Sequence, residues 1–319
     1  MTQESGKIFL LGLGGHRCGS ARLRVYLRAH SEVDLGLVPE YHTFSTAWLP
    51  LGGLNKFRFA QKLTHLEESA RGKPADSQAQ RTRARLQLQL RFCDDMDAYF
   101  SYFSALADDD RIRLVGDITP RYCALPSHRL AEIRAALMER RFRIRVVFMM
   151  RDPIERIWSH IRHAFHGKIG DDAYAKTAEL VGVLGGEMPP AEGAPSGALS
   201  DDALFLALYR SAAMQSLTRY EHIAAQIQSA FSPHEIFFGL YEQAFEPKNR
   251  AALMAFLGLT ALPFDSDRRP HHRPKNQHLA PASVRAARAF YDEAYRFAAG
   301  MFSEQKVAHV WPHYHYQDA

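Results

Sequence analysis

The chain has 319 residues, 46% of them hydrophobic and 24% charged, with a formal net charge of +5, a balance that excludes disordered, fibrous and collagen-like classes. Three widely spaced cysteines, Cys18, Cys93 and Cys123, form neither a disulfide framework nor a zinc site, which predicts a reducing compartment. No stretch approaches the roughly 18 apolar residues of a membrane span, and the short apolar run after the polar N-terminus meets Gly14 and Gly15 at once instead of a signal-peptide cleavage region, so the expectation is a soluble, cytoplasmic protein.

Taken in chain order, Lys7 to Leu13 predicts a buried strand: short, apolar and followed by glycines. Ser20 to His30 predicts a helix and Glu32 to Val38 a second short strand. Tyr41 to Leu106 is helical in pattern, broken near Leu51-Gly52-Gly53 and Gly72-Lys73-Pro74. Arg111 to Val115 predicts a strand, Gly116 to Pro120 a turn, and Ser127 to Arg140 a basic helix. Ile144 to Met150 is the clearest buried strand, and Pro153 just after it suits the first turn of a helix running to about Phe165. Residues 166–200 are rich in Gly, Ala, Pro and acids and predict a flexible insertion. Asp202 to Ala230 predicts one long helix, Glu235 to Gly239 a strand, and Ala251 to Leu257 and Ser283 to Ala299 helices. Strands alternating with helices imply an α/β fold, a parallel sheet with helices on both faces, in which ligands bind beyond the carboxyl ends of the strands.

The positive charge is localised. Between Arg121 and His163 the sequence holds ten arginines and four acids, a net of +6. Such a stretch suits a polyanion or a nucleotide with several phosphates; a solvated basic helix face is the plainer reading for most of these arginines.

Two segments carry chemistry. The first, Gly14-Gly15-His16-Arg17-Cys18-Gly19-Ser20-Ala21-Arg22-Leu23, follows a strand and opens a helix. Its glycines let backbone N–H groups converge on an anion, the helix dipole points there, and Arg17, Ser20 and Arg22 add donors: a phosphate or sulfate cradle. There is no Gly-Lys-Ser/Thr ending, so it is not a Walker loop, and Gly12, Gly14 and Gly19 lack dinucleotide-fingerprint spacing. Cys18 and Arg24, five residues apart, leave open a cysteine phosphatase loop, whose thiol would be activated by the helix N-terminus. The second segment ends the most apolar strand with Arg151-Asp152-Pro153-Ile154-Glu155-Arg156-Ile157-Trp158-Ser159. Arg151 should enter the crevice at the strand end, and Arg151 with Ser159 could hold a phosphate, unless Arg151 pairs with Asp152 or Glu155.

Together the segments resemble the sulfotransferase family that uses 3′-phosphoadenylyl sulfate (PAPS). Arg17-Cys18-Gly19-Ser20 resembles that family's 5′-phosphosulfate loop, and Arg151, Pro153, Arg156 and Ser159 match its 3′-phosphate motif, Arg-x-Pro-x-x-Arg-x-x-Ser. Glu40-Tyr41-His42-Thr43-Phe44 resembles the Glu-x-His-Phe-Phe segment of the heparan-sulfate, carbohydrate-type branch, and Gly116 to Tyr122 its Glu-Lys-Ser/Thr-Pro-x-Tyr segment. Leu240-Tyr241-Glu242 and Phe256-Leu257-Gly258-Leu259 resemble the family's late strand and helix, and Arg273 to His278 lies where the family has a basic loop. Pro39 and Ile118 stand where that branch has lysines, and Ala21 where Thr is common.

The resemblance implies a P-loop-like central parallel sheet forming one domain over residues 1–319. It implies PAPS as co-substrate, adenosine 3′,5′-bisphosphate (PAP) as product, no metal, and a small-molecule or carbohydrate acceptor, not nucleic acid. It assigns Arg17 to the leaving-group oxygen, with Cys18, Gly19, Ser20, Ala21 and Arg22 around the 5′-phosphate. Arg151 and Ser159 take the 3′-phosphate and Lys275 closes the basic loop. Glu40 takes the acceptor's proton, with His42 as rival base; two residues on, His42 should face elsewhere unless the loop is irregular. Besides the phosphatase, a non-catalytic polyanion-binding protein using the Arg121 to His163 stretch remains a competing reading.

Overall fold

The computed structural model describes residues 6–50, 52–71, 77–165, 179, 181–186, 200–264 and 278–316. Five strands, β1 (Ile8–Gly12), β2 (Val33–Asp34), β3 (Leu114–Ile118), β4 (Arg143–Met150) and β5 (Ile236–Leu240), form one sheet in the order β2-β3-β1-β4-β5. Every neighbouring pair is parallel. β1 and β3 are buried along their whole length, because helices cover both sides and each residue must be apolar whichever way it points. Alternation divides the core in two. Phe9 and Leu11 of β1 with Val146, Phe148 and Met150 of β4 pack on one face. Ile8 and Leu10 with Val147 and Met149 pack on the other. The architecture is the P-loop-like α/β sheet flanked by helices that the sequence implied.

The helices up to the middle of the chain are α1 (Ser20–Leu27), α2 (Thr43–Trp48), α3 (Gly52–Ala70), α4 (Ser77–Asp94), α5 (Met96–Ala107), α6 (Ser127–Glu139) and α7 (Pro153–Phe165). The break before Gly52 falls where the sequence placed it. A further break before α5 went unread: Asp95 accepts the Ala98 amide at 3.0 Å and starts a new helix.

Four expectations are corrected. The second strand shrinks to Val33–Asp34, because Asp34 turns to accept the Gly36 amide at 2.7 Å. The third strand is Leu114–Ile118, so Gly116 lies within it and not in a turn; a Cβ there would meet the Leu10 carbonyl oxygen at 2.4 Å, so only glycine permits this strand spacing. The long helix expected from Asp202 to Ala230 is three pieces, Asp201–Leu208, Ala212–Gln215 and Tyr220–Ala230, with Ser211 capping the middle one. The expected helix from Ser283 divides likewise into Pro281–Phe290 and Asp292–Phe302.

The parallel sheet sets the site. The segments after β1, β3, β4 and β5 all leave the same edge, so Leu13–Ser20, Thr119–Tyr122, Arg151 and Tyr241–Glu242 meet over one crevice. Among the described residues no helix is long and apolar enough to cross a membrane.

Candidate active site

After β1 the chain turns sharply. Arg17 and Gly19 both take left-handed backbone conformations, at φ 69° and 87°, and the Cys18 amide donates to the Gly15 carbonyl at 3.0 Å. A Cβ at Gly19 would meet the Tyr241 ring at 2.7 Å, so glycine is required by conformation and by space. α1 begins at once, its first-turn N–H groups lacking intrahelical acceptors. The predicted donors separate here. Arg17 turns toward β4's end: its Nε donates to Ser159 Oγ at 3.1 Å. The Arg22 guanidinium instead lies against the Phe245 and Phe264 rings, 4.7 and 4.5 Å from their centroids.

Cys18 is turned inward, 1% exposed, and burial pushes its thiol up to about 12 despite the nearby Arg156 and Arg151. Arg24 donates to the Pro39 carbonyl at 3.0 Å, joining α1 to the Glu40 segment. A phosphatase loop needs an activated thiolate and an arginine returning to it. Neither is found, and the phosphatase reading fails on both residues.

At the end of β4, Arg151 Nη1 donates to the Arg17 carbonyl at 3.2 Å and Nη2 to Glu155 at 3.1 Å, while the guanidinium lies 5.2 Å from the Tyr241 ring centroid. The two predicted anion segments are therefore in direct contact, through Arg17–Ser159 and Arg151–Arg17. Asp152 fixes this corner. Its Oδ1 accepts the Ile154 and Glu155 amides, each at 3.0 Å, and the Tyr295 hydroxyl and its Oδ2 accepts the His313 amide, each at 3.1 Å. Glu242 accepts the Asp152 amide at 3.2 Å and the Trp311 indole N–H at 3.1 Å, and burial pushes its carboxyl up to about 7. The C-terminal segment thus locks the strand end that presents Arg151.

Glu40 sits on an irregular loop, and the irregularity sets where His42 points. His42 has φ 60°, which swings its imidazole back, so that Nε2 lies 3.4 Å from Glu40 Oε2. The proviso that an irregular loop would bring His42 back to Glu40 is met by that single backbone conformation. Ser45 Oγ donates to the His42 carbonyl at 3.1 Å and lies 3.3 Å from His42 Nδ1. With its proton committed, the hydroxyl can only accept, which assigns a proton to Nδ1. Burial pushes Glu40 up, but the His42 hydrogen bond and the His16 and Arg24 charges outweigh it and hold the carboxyl below its ordinary value.

The loop is held from beneath. The Tyr41 amide donates to Thr119 Oγ1 at 3.0 Å, and that hydroxyl donates to Asp117 at 2.6 Å. Asp117, fully buried, also accepts the Tyr99 and Tyr122 hydroxyls at 3.1 and 2.9 Å. Burial raises its carboxyl to about 6, with these three donors pulling the other way.

Sequence reasoning missed other residues that meet here. Burial lowers His16 to about 4, and its ring lies 5.4 Å from that of His160. Arg156, read only as a motif letter, is fully buried. Histidines beside the two motifs were the available signal. The arginine-rich stretch divides: Arg129, Arg134 and Arg140 pair with Glu132, Glu235 and Asp97, whereas Arg151 enters the crevice. A continuous basic face for a polyanion is thus interrupted by acids. Lys275 lies outside the described residues, as does most of 166–200. Among the described residues no group of three or more His, Cys, Asp or Glu could hold a metal.

No protein-family model matches the chain, and no curated protein matches it. Among solved structures, the fold is that of a sulfotransferase from Alicyclobacillus acidocaldarius, with TM-score 0.51 and 13% identity over 93% of this chain and 96% of that one. A sulfotransferase domain from the curacin biosynthetic pathway is similar at TM-score 0.40 and 19% identity, over 82% of this chain and 75% of that one.

Proposed function

We propose that the chain is a PAPS-dependent sulfotransferase that moves a sulfuryl group to the hydroxyl or amine of a carbohydrate-like acceptor. The observation that carries the reading is the contact of Arg17 with Ser159 and of Arg151 with the Arg17 carbonyl. These contacts bring the phosphosulfate-loop residues and the 3′-phosphate-motif residues within the span of one nucleotide. The donor set fits such a ligand: Arg17, Arg151 and the Ser159 hydroxyl beside a glycine turn, with first-turn amides of α1. When bound, PAPS supplies the activated sulfuryl group and a phosphate leaving group.

The protein's part is positioning and electrostatics. Arg17 carries the charge that spreads onto the bridging oxygen, with the Gly19, Ser20 and Ala21 amides around the 5′-phosphate. Arg151 and Ser159 fix the register by the 3′-phosphate. Glu40 removes the acceptor's proton, and the contact with His42 helps to hold the carboxyl below its ordinary value until then.

The test is PAP release from PAPS on incubation with a panel of sugar, amino-sugar and phenol acceptors. Acceptor-dependent release that disappears in Glu40→Gln is expected. A chain that neither binds PAP nor releases it with any acceptor overturns the reading.

A further inference from the structure

Among the described residues, a buried cation beside the crevice has no counter-ion. Arg156 is 0% exposed, yet among those residues its Nε and Nη1 have no hydrogen-bond partner. Its Nη2 reaches only the Met214 sulfur, at 3.3 Å, a weak acceptor. A guanidinium buried this way is costly unless something anionic meets it. The nearby acids are committed elsewhere: Asp152 to Tyr295 and His313, Glu155 to Arg151, and Glu242 to Trp311.

One helical turn along α7, on the same face, His160 presents a buried Nδ1 that also has no partner. Its ring faces His16 of the phosphosulfate loop at 5.4 Å, and its neighbour Ser159 bonds Arg17. Arg121, at the start of the segment after β3, makes no hydrogen bond or ion pair among the described residues. Burial lowers its pKa, and the Arg156 charge lowers it further. Both Arg121 and Arg156 act on His16 and on His160. The unpartnered nitrogens of Arg156 and His160 therefore lie within one turn of α7, beside the His16 ring and the Arg17–Ser159 contact.

We propose that Arg156, His160 and Arg121 form an inner anion pocket that receives the sulfuryl oxygens of the donor. The pocket supplies the positive charge that Ile118, 3% exposed and packed in the core, cannot. The proposal rests on the PAPS reading and deepens it. It separates two sets of contacts: Arg151 and Ser159 recognise the nucleotide, whereas Arg156, His160 and Arg121 recognise the group that leaves it. PAP lacks that group and makes none of the second contacts.

Calorimetric titration of the full chain with PAPS and with PAP, without acceptor, tests this. In Arg121→Gln and His160→Phe the affinity for PAPS should fall about tenfold or more, as loss of a donor to a charged group implies, with PAP affinity held within about twofold. Arg156→Met, an apolar replacement of similar length, should do the same if it folds; the first two variants decide the matter if it does not. Equal weakening of PAPS and PAP, or no weakening of either, overturns the pocket. A wild-type chain that does not distinguish PAP from adenosine 5′-phosphate overturns the PAPS reading itself, a separate failure.

Discussion

The proposed nucleotide side and the proposed acceptor side of the crevice are built differently. Arg17, Arg151 and Ser159 stand at the ends of β1 and β4 and on α7, elements whose side chains are almost wholly buried. Glu40 and His42 stand on a loop between a two-residue strand and a six-residue helix. Beyond them, α3 is 19 residues long and buries only Gly52; its Phe57 is 63% exposed, and its Phe59 ring lies 6.2 Å from that of His42. One side stands on strand ends and a buried helix, the other on a loop pinned by the buried Tyr41 ring and by the Tyr41 amide bond to Thr119, which Asp117 holds. A site divided this way can keep one donor nucleotide while its acceptor wall varies.

The largest effect that would sharpen the contrast is chemical. Glu40→Gln should lower acceptor-dependent PAP release by about 10²- to 10⁴-fold and leave PAP affinity unchanged; a matching loss of PAP affinity would merge the two sides. Next is the anchor of the acceptor loop. Asp117→Ala strands three hydroxyls and should cost about 3 kcal/mol in denaturant unfolding, with PAP still bound by the folded fraction. Arg151→Ala should weaken PAP by about 2 kcal/mol, roughly thirtyfold, with the unfolding midpoint little changed.

The last effect is a pH slope. Burial raises Glu242 to about 7 and Asp117 to about 6, so the folded state binds these protons more tightly than the unfolded chain. Their contribution to stability is full below the unfolded carboxylate range, about pH 4, and is lost as pH rises to about 7. Unfolding free energies measured across that window should fall with pH, and Glu242→Gln should flatten the fall. An unaltered slope would detach the C-terminal lock from the titration.

The same contrast explains what could be read from the sequence. β1, β4 and α7 were legible because an apolar run ending in Gly, and another ending ahead of Pro153, leave little choice of structure. β3 was displaced because Gly116-Asp117 has turn composition, although here glycine serves strand spacing and Asp117 is satisfied by hydroxyls distant in sequence. The Arg17–Ser159 bond joins residues 142 apart; no periodicity reports it, and family resemblance alone anticipated that both would serve one ligand. The direction of His42 could not be read because a positive φ at a residue other than glycine leaves no compositional mark. Arg156 was passed over because burial without a partner cannot be seen before the fold is known.

The proposal that Arg17 and Arg151 grip opposite ends of one nucleotide is tested directly by titrating the protein calorimetrically with PAP, adenosine 5′-phosphate and adenosine 3′-phosphate. One molecule of PAP should bind, at least about a hundredfold tighter than either monophosphate, with the two monophosphates competing for one adenosine site. Equal affinities for all three, or two monophosphates bound together without competition, would contradict the shared crevice.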